Sequence, residues 1–403
     1  MRKQVRFLLV LLAVLLAGCI GCGKLAGHLS GKIYDDTTKA LVTENVAVTL
    51  TGAISITVTN GQYQFQDVSA GEKMLTVRAE GYKAYTAVVQ IKADQTTTKD
   101  IYLVKAGSDD GDGDDTLVFN IDEALVAGVG SFPTGADDAT LCSEVNYPYY
   151  MAKYEVTYEL WKRIYDWATS ADRGTARYYF QYPGRMGGNQ DYAPTTNQHP
   201  VTTVNWRDAM VWCNALTEYY NDQNASSLTC VYTYLGAIVR DARDSNVSVC
   251  DNVTAENANG FRLPTSMEWE LAARFRGDDS TNTVDGFSNP YFTKGNSLSG
   301  ATGPYTDTVA TDAVAWYASN SNNATHPVGE KTANALGIYD MSGNVSEWCF
   351  TSYSEGAYRG NRGAAWATAS NIAFLPIGPE RKSPPQTSQS HTGLRPVRTK
   401  TSE

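Results

Sequence analysis

The sequence predicts an α+β protein with two folded units in a chain of 403 residues. Three observations predict this arrangement. Residues 28–105 contain short β-rich runs separated by turn residues, and residues 106–116 are dominated by Gly and Asp. Residues 117–400 contain a few helical patterns among long loops rich in Gly, Asn, Ser and Thr. A chain of this length has room for two or three domains with a sizeable core.

The first unit, residues 28–105, is predicted to be a β-sandwich. Turn signals at Asn60-Gly61, Ala70-Gly71 and Gly81 separate short runs rich in β-branched and aromatic residues. About seven short strands at this spacing are typical of a sandwich. The unit carries no visible catalytic group, so we expect a stalk or spacer, with a carbohydrate- or protein-binding module as the alternative. The predicted strands are Lys32–Tyr34, Val46–Leu50, Ser55–Val58, Tyr63–Phe65, Met74–Arg78, Ala87–Ile91 and Asp100–Val104.

Residues 106–116 are predicted to be an exposed acidic linker. Glycines give flexibility, and neighbouring like charges favour an extended chain. The Asp-x-Asp-Gly-Asp spacing also occurs in calcium loops, but the bidentate Glu that a hand-type loop requires is absent at the expected distance. The linker interpretation is therefore favoured over a calcium loop.

The second unit, residues 117–400, shows three helix starts. Thr157 precedes a pattern that places Trp161 and Ile164 on one face, and Asn205 can cap a second helix. Thr265 with Glu268 forms a capping box for a third. Beyond these segments helical signals are scarce, so we expect two or three helices packed with irregular sheet and long structured loops.

The N-terminus has the features of an export signal. Arg2, Lys3 and Arg6 precede an apolar run, Phe7–Leu16, that is too short to span a bilayer. Leu16-Ala17-Gly18-Cys19 resembles the lipid-attachment box of bacterial lipoproteins. This predicts a signal peptide at residues 1–18, lipidation of Cys19 and an envelope protein of the outer membrane, exposed at the cell surface. Cys22 as the lipidated residue and an ordinary signal cut without lipid are the alternatives.

The charge balance excludes some partners. With 33 basic and 43 acidic residues the net charge is −10, and no basic cluster occurs. A nucleic acid or an anionic membrane surface is therefore not an expected partner, and contact with the membrane is expected through the lipid anchor only. The 25 tyrosines suit a binding surface because they combine rigid contact area with a polar tip, although they equally suit a loop-rich core.

Five cysteines remain after Cys19 and Cys22, so at least one thiol of the folded units is free. Cys230 and Cys250 flank a predicted hairpin, and a disulfide between them is one possibility in an oxidising compartment. Cys213 falls on an apolar helix face and is expected to be buried. The pairing among Cys142, Cys213, Cys230, Cys250 and Cys349 stays open.

Ordered motifs along the second unit resemble one known family. The stretch Gly337-Ile338-Tyr339-Asp340-Met341-Ser342-Gly343-Asn344-Val345-Ser346-Glu347-Trp348 reads locally as a turn-rich loop, and it resembles the signature of the formylglycine-generating-enzyme (sulfatase-modifying factor) family. The resemblance implies an elaborated C-type-lectin-like fold. The other landmarks are Tyr154–Thr157, His199–Val201 with Trp206, Gly260–Thr265 with Glu268–Glu270, His326–Gly329, Arg362–Trp366 and Gly393–Arg395.

The first unit also resembles a known module. Asn60–Val68, with Ala70-Gly71 and Gly81-Tyr82, is similar to the signature of carboxypeptidase regulatory-like domains, which have a transthyretin-like β-sandwich. This resemblance covers most of residues 28–105 and agrees with the strand pattern.

The family resemblance implies a structural calcium ion in the signature loop. Carried over, Asp340 and Glu347 supply side-chain oxygens, and Gly343 and Val345 supply backbone carbonyls. Hard oxygen ligands of this kind suit calcium. From residue types alone, a solvated Asp and a Glu that caps local amides is the other interpretation.

The enzymes of this family oxidise a substrate cysteine with copper held by two cysteines. Their positions fall on or near Thr368 and Ala373, and no cysteine follows Cys349. Copper(I) is soft and needs thiolates, so we expect no copper and no oxidase activity. The sequence also lacks a Gly-x-Ser-x-Gly elbow, a phosphate-binding loop and a His-Glu-x-x-His zinc motif. No catalytic residue is assigned, and a sulfatase-modifying or related oxidase enzyme is the alternative.

The remaining candidate is a recognition surface formed by the loops of residues 367–392. Prolines disfavour regular structure there, and Arg362–Trp366 and Gly393–Arg395 bracket the region. Similar brackets enclose the loops that diversity-generating retroelements vary in lectin-like proteins. We therefore expect an extracellular protein or glycan ligand, with an unselected surface loop and an envelope scaffold as the alternatives. The predicted contacts are Asn371, Phe374, Arg381, Lys382, Gln386 and His391.

Overall fold

The chain folds as two units whose boundary falls at Asp115. In this computed structural model the described residues are 26–43, 45–50, 56–79, 82, 85–103, 119–188, 196–255, 258–369 and 374–400. The predicted signal peptide, Cys19 and the acidic linker at 106–116 lie outside them. Every helix within these ranges is too short or too polar to cross a lipid bilayer.

The N-terminal unit is a sandwich of two sheets. One sheet has the order β4-β1-β7, with β8 also paired to β1, and the other has the order β3-β2-β5-β6. Leu29 and Ile33 of the first sheet and Val48 and Val77 of the second belong to one buried cluster, which confirms the predicted sandwich. The strands are β1 (Ala26–Asp35), β2 (Val46–Leu50), β3 (Ile56–Val58), β4 (Gln62–Ser69), β5 (Gly71–Ala79), β6 (Tyr85–Ile91), β7 (Thr96–Thr98) and β8 (Ile101–Leu103).

Strand β7 is the one described strand of this unit that the sequence pattern did not predict. It consists of three threonines and lies parallel to β1, so no apolar alternation marks it. The backbone just after β7 lies so close to β1 that position 31 has room only for glycine, because a Cβ there would lie 1.8 Å from the carbonyl oxygen of Lys99.

The C-terminal unit combines short strands with long loops. Three sheets have the orders β24-β12-β9, β16-β15-β17 and β22-β21-β20-β23. Three separate two-stranded sheets are formed by β10 with β11, β13 with β14 and β18 with β19. The strands are β9 (Glu123–Val126), β10 (Phe132–Thr134), β11 (Thr140–Cys142), β12 (Tyr149–Ala152), β13 (Arg185–Met186), β14 (Val201–Thr202), β15 (Tyr232–Tyr234), β16 (Ala237–Ile238), β17 (Thr254–Ala255), β18 (Phe275–Gly277), β19 (Tyr291–Phe292), β20 (Ser346–Tyr353), β21 (Tyr358–Arg362), β22 (Arg381–Ser383), β23 (Thr392–Gly393) and β24 (Val397–Thr399).

The three predicted helix starts are confirmed by their caps. Thr157 accepts a hydrogen bond from the Leu160 amide, and Asn205 and Thr265 each form a capping box. Two further short helices, α3 and α5, lacked a clear periodic signal. The helices are α1 (Tyr158–Thr169), α2 (Trp206–Asn224), α3 (Val247–Asp251), α4 (Ser266–Arg274) and α5 (Thr308–Val314); 3-10 turns lie at Ala171–Ala176, Asp244–Asn246 and Ser354–Gly356.

Large aromatic side chains fill the core of the C-terminal unit. Helices α1 and α2 pack through Trp161 and Trp212, whose rings stack with their centroids 5.4 Å apart. A second cluster surrounds Trp269 of α4. These two clusters hold the sheet that carries the candidate site.

The possible Cys230–Cys250 disulfide does not form. Cys142, Cys213, Cys230, Cys250 and Cys349 are all free and buried. The chain after the hairpin β15–β16 enters α3, which places the Cys250 thiol on the Asp241 carbonyl, whereas the Cys230 thiol faces the Asn214 carbonyl. Burial raises the pKa of both thiols to about 12, so neither is a ready thiolate.

Candidate functional site

The signature segment is buried rather than solvated. Asp340, Asn344 and Glu347 are each at most 2% exposed. The prediction of a loop holds up to Val345 but is wrong for Ser346–Trp348, which begin β20. These residues form a strand because β20 lies between β21 and β23 in the middle of its sheet.

Glu347 is the acceptor of a buried ion pair with Arg395. The Arg395 side chain donates from Nη2 to Glu347 Oε1 at 2.7 Å and from Nε to both carboxylate oxygens at 3.1 Å. The indole of Trp269 donates to Glu347 Oε2 at 2.7 Å. Both Glu347 oxygens are therefore engaged, and a fully buried charge pair of this kind depends on having both partners.

Two more buried carboxylates lie near this pair. Asp340 Oδ2 accepts from the Gly329 amide at 2.7 Å, and Asp340 Oδ1 has no partner among the described residues. Burial raises the pKa of Asp340 to about 6. Glu155 accepts from the Asn344 side chain at 2.7 Å and from the Val345 amide at 2.9 Å. Burial, and then the charges of Asp340 and Glu347, raise the pKa of Glu155 well above its usual range.

As placed, these residues do not fit the calcium set that the family resemblance implies. Glu347 is occupied by Arg395 and Trp269, and within the described ranges no group of three or more His, Cys, Asp or Glu is arranged to hold a metal ion. An ion at Asp340, Gly343, Val345 and Glu347 would have to compete with the Arg395 guanidinium. The calcium assignment stays a prediction, and the orphaned Asp340 Oδ1 is the atom that most favours it.

The predicted recognition residues do not all lie on one face of β22. Phe374 is 43% exposed, and the Arg381 guanidinium lies over its ring, 5.2 Å from the centroid. Lys382 points to the opposite face of β22, where its ammonium lies 4.0 Å from the centre of the Tyr353 ring. Gln386 is exposed. Asn371 lies outside the described residues.

His391 lies on the same side of the site as Arg381. Its carbonyl accepts hydrogen bonds from the amide and hydroxyl of Ser346, which fix its backbone against β20. Burial, and then the charge of Arg381, lower the pKa of His391 below its usual value. The structure therefore brings Phe374, Arg381 and His391 to one region.

The two family cysteine positions fall at the edge of this region. Thr368 Oγ1 accepts from the Ala365 amide at 3.0 Å and from Arg381 Nη2 at 3.4 Å. Ala373 lies outside the described residues. Cys213 and Cys349 belong to different buried clusters and do not form a thiol pair. A hydroxyl that supports a turn and faces a guanidinium thus stands where the enzymes hold a thiolate.

Sequence reasoning missed Arg359 as part of the sheet that carries the site. It is 4% exposed, lies over the Trp206 ring at 3.8 Å and donates weakly to the Phe350 carbonyl at 3.3 Å. Its Nε has no partner among the described residues, and burial lowers its pKa. Glu155 and Arg395 were also missed as a charge network, although both lie inside family landmarks.

A cavity of about 500 Å³ lies elsewhere in the C-terminal unit. Its charged side chain, Arg262, is fully committed to Glu268 through two bonds of 2.6 and 2.7 Å. Arg262 is therefore not free to orient a charged ligand in this cavity. It is lined by Tyr147, Val231, Tyr232, Ala255, Arg262, Leu263, Thr265, Phe350 and Thr399.

Comparison with known families accounts for both units. Residues 113–400 match the sulfatase-modifying factor enzyme 1-like domain, and residues 28–104 match the carboxypeptidase regulatory-like domain. The chain belongs to the sulfatase-modifying factor enzyme 1-like family. The family match contains the signature segment, Glu155 and Arg395, so the buried charge network is built from family positions.

Three individual proteins are similar to this chain over most of the C-terminal unit. The chaperone protein LppX of Paenibacillus barcinonensis is 31% identical over 266 residues, covering 63% of this chain and 81% of that protein. The crystal structure of CarF matches 70% of this chain and 99% of its own at 28% identity, with a TM-score of 0.53. Variable protein 1 of Treponema denticola matches 69% of this chain and 95% of its own at 25% identity, with a TM-score of 0.51.

Proposed function

We propose that the chain is an envelope lipoprotein whose C-terminal unit is a non-catalytic recognition domain for an extracellular protein or glycan. The observation that carries this proposal is the contrast around β22. The family-motif charges Glu347 and Arg395 neutralise each other internally. By contrast, Arg381 lies over the exposed ring of Phe374 and has no carboxylate partner among the described residues. Exposed aromatic and arginine side chains on a fixed sheet are suited to binding.

Similarity to relatives supports a binding role. Variable protein 1 of Treponema denticola has the same fold, and its name describes variability. Residues 367–392 are the part of this chain that we propose to vary between sister cells. Sequencing the 3′ end of the gene across a clonal population, and the neighbouring DNA for a reverse transcriptase and a near-copy of that end, tests this part of the proposal.

A matched pair of variants tests recognition. The chain, purified in detergent, is probed against a displayed random-peptide library and a glycan array. We expect retained probes to be lost in Phe374→Ala and Gln386→Ala, and kept in Leu235→Ala and Val309→Ala, whose side chains are 88% and 80% exposed outside the proposed surface. Retention that is indifferent to all four changes contradicts the proposal.

The relationship to LppX favours a second candidate, a chaperone for exported polypeptides. A chaperone with this surface suppresses the light scattering of chemically denatured citrate synthase at near-stoichiometric amounts. The Phe374→Ala variant should suppress it less, and Leu235→Ala equally well. Equal suppression by both variants, or none by the wild type, argues against this candidate.

The lipid anchor is the second half of the proposal. It rests on the residues around Cys19 and on the export signal that precedes them. Labelled fatty acid should attach to the wild-type chain and not to Cys19→Ser, and only the wild type should fractionate with the outer membrane. Protease added to intact cells should digest the chain if it is surface exposed.

The enzyme alternative has a direct test. A sulfatase-derived cysteine peptide is incubated with the purified chain and copper, and formylglycine is measured by mass spectrometry. Turnover, or stoichiometric copper in the purified protein, overturns the non-catalytic interpretation. We expect neither, because Thr368 offers a hydroxyl at one family thiolate position and the other is Ala373.

A further inference from the structure

Arg381 is a partly buried guanidinium for which the described residues supply no carboxylate partner. Among the described residues its polar contact is the 3.4 Å hydrogen bond to Thr368 Oγ1, and no carboxylate pairs with it. Residues 370–373, which precede Phe374 in the chain and lie outside the described residues, are Ser, Asn, Ile and Ala and carry no acid. By contrast, Arg262, Arg274 and Arg362 in the same unit each bind a buried glutamate.

A partly buried charge without a counter-ion is costly. Burial, and then the charge of Arg381, lower the pKa of His391, which favours the neutral imidazole, so His391 supplies no compensating negative charge. The region has two basic groups, a hydroxyl at Thr368 and the open ring of Phe374. An incoming carboxylate would pair with Arg381 and accept from it, restoring the charge balance that the fold leaves open.

The position of the strand that carries Arg381 favours an extended polypeptide as the ligand. Strand β22 is the outer strand of the order β22-β21-β20-β23, and Arg381 pairs with Asn361 on its inner side. Outer strands present backbone donors and acceptors that an extended polypeptide can pair with. Alternate residues of such a polypeptide face the side that holds Arg381, while the others face the side of Lys382.

We propose that Arg381 is the anchor for an acidic side chain of a polypeptide that docks in extended conformation along β22. This inference rests on the recognition function proposed above and names the ligand chemistry of the same surface. A glycan carrying uronic acids shares the carboxylate but not the strand-forming backbone, so it is the competing outcome.

Alternating peptides test the proposal. Fluorescein-labelled (Thr-Glu)4, (Thr-Gln)4 and (Thr-Lys)4 are titrated by polarisation against the full chain in detergent, with oligogalacturonate as the glycan probe. We expect (Thr-Glu)4 to bind about tenfold more tightly than (Thr-Gln)4 at low salt, a difference of about 1.4 kcal/mol, because a hydrogen bond between two charged groups is stronger than one to a neutral amide. The preference should shrink in high salt.

Variants decide whether Arg381 is responsible. Arg381→Gln should abolish the Glu-over-Gln preference, and Arg381→Lys should keep part of it. Arg163→Gln, which removes the same charge from the exposed face of α1, should leave it unchanged. Thermal unfolding of each variant shows that the fold is intact.

Each remaining outcome has a meaning. A preference that survives Arg381→Gln, or no preference in the wild type, overturns the inference. Arg381-dependent binding of oligogalacturonate without peptide binding replaces the polypeptide with a glycan and leaves the recognition function standing. Peptide binding that needs Phe374 but not Arg381 overturns the inference about Arg381 and leaves the recognition function standing. Insensitivity of every bound probe to Phe374, Gln386 and Arg381 removes the proposed function itself.

Discussion

The signature region and the β22 region treat charge in opposite ways. Around the signature, Glu347 and Arg395 are both fully buried and paired through several hydrogen bonds. Around β22, Arg381 contacts a ring and a hydroxyl. In the signature region the charged side chains pair with each other and hold loops together. In the β22 region the guanidinium of Arg381 is not paired with a carboxylate among the described residues. In this chain the motif residues Glu347 and Arg395 therefore stabilise the fold, whereas Arg381, outside the motifs, has no carboxylate partner in the part of the chain that the structure describes.

The largest expected effect comes from breaking the frame. Arg395→Met leaves the Glu347 carboxylate buried without its counter-charge, which should cost about 3–5 kcal/mol of unfolding free energy in urea titrations. Arg381→Met is the matched change in the other region; because it breaks no ion pair among the described residues, it should not destabilise the protein by more than about 0.5 kcal/mol. Adding Glu347→Gln to Arg395→Met should recover part of the loss. Equal costs for the two single arginine variants would erase the contrast between the regions.

The glycines of the signature give the next effect. Gly343 has φ of +85°, and a Cβ there would lie 2.2 Å from the Trp316 carbonyl oxygen, whereas Gly337 has φ of +73° and nothing within 4 Å. Both alanine variants incur backbone strain of about 1 kcal/mol, and Gly343→Ala adds a backbone clash for a total of roughly 2–4 kcal/mol. Thermal and urea unfolding measure the difference. Equal unfolding free energies for the two variants would mean that the backbone at Trp316 moves aside at little cost.

A smaller effect should appear as a pH dependence at His199, which also belongs to the frame. Its Nδ1 lies 2.9 Å from Thr325 Oγ1, and burial lowers its pKa to about 4. The unfolded imidazole titrates near 6.5, so its contribution is present above that pH and is lost as pH falls toward 4. The loss between pH 7.5 and 4.5 should be roughly 1–3 kcal/mol. His199→Asn should reduce the wild-type slope over this window; an unchanged slope would place the sensitivity elsewhere.

The smallest expected effect concerns calcium. Because Arg395 already provides the positive charge at Glu347, exchanging EDTA for millimolar calcium should change the wild-type Tm by no more than about 1 °C. A Tm that rises with the logarithm of calcium concentration would support the ion implied by the family resemblance and show that Arg395 yields its place. Arg395→Met, with Glu347 released, is the variant in which such a rise should be easiest to detect.

Local signals in the sequence predicted the local structure well. The run Val46–Leu50 is strand β2, and Thr157, Asn205 and Thr265 cap the helices that they were expected to cap. These features depend on residues within one or two turns of each other. The family resemblance, rather than composition, supplied the lectin-like fold of the second unit.

Long-range pairing was beyond the sequence. Nothing within the signature indicates that Glu347 binds an arginine 48 positions away, and the all-threonine strand β7 is recognised only by its place beside β1. The unpaired state of Arg381 is likewise a property of the surroundings, since it depends on which acids the fold places near it. The sequence predicted Arg381 as an exposed contact residue, and the structure adds that no carboxylate among the described residues pairs with it.

Strand order also has a consequence for biosynthesis. Strand β24, at Val397–Thr399, completes a sheet with β12 and β9 from the beginning of the same unit. This sheet cannot be completed until residue 399 has left the ribosome, because its last strand lies at the C-terminal end of the unit. Residues 367–392 are therefore synthesised before the strand that joins the two ends of the unit.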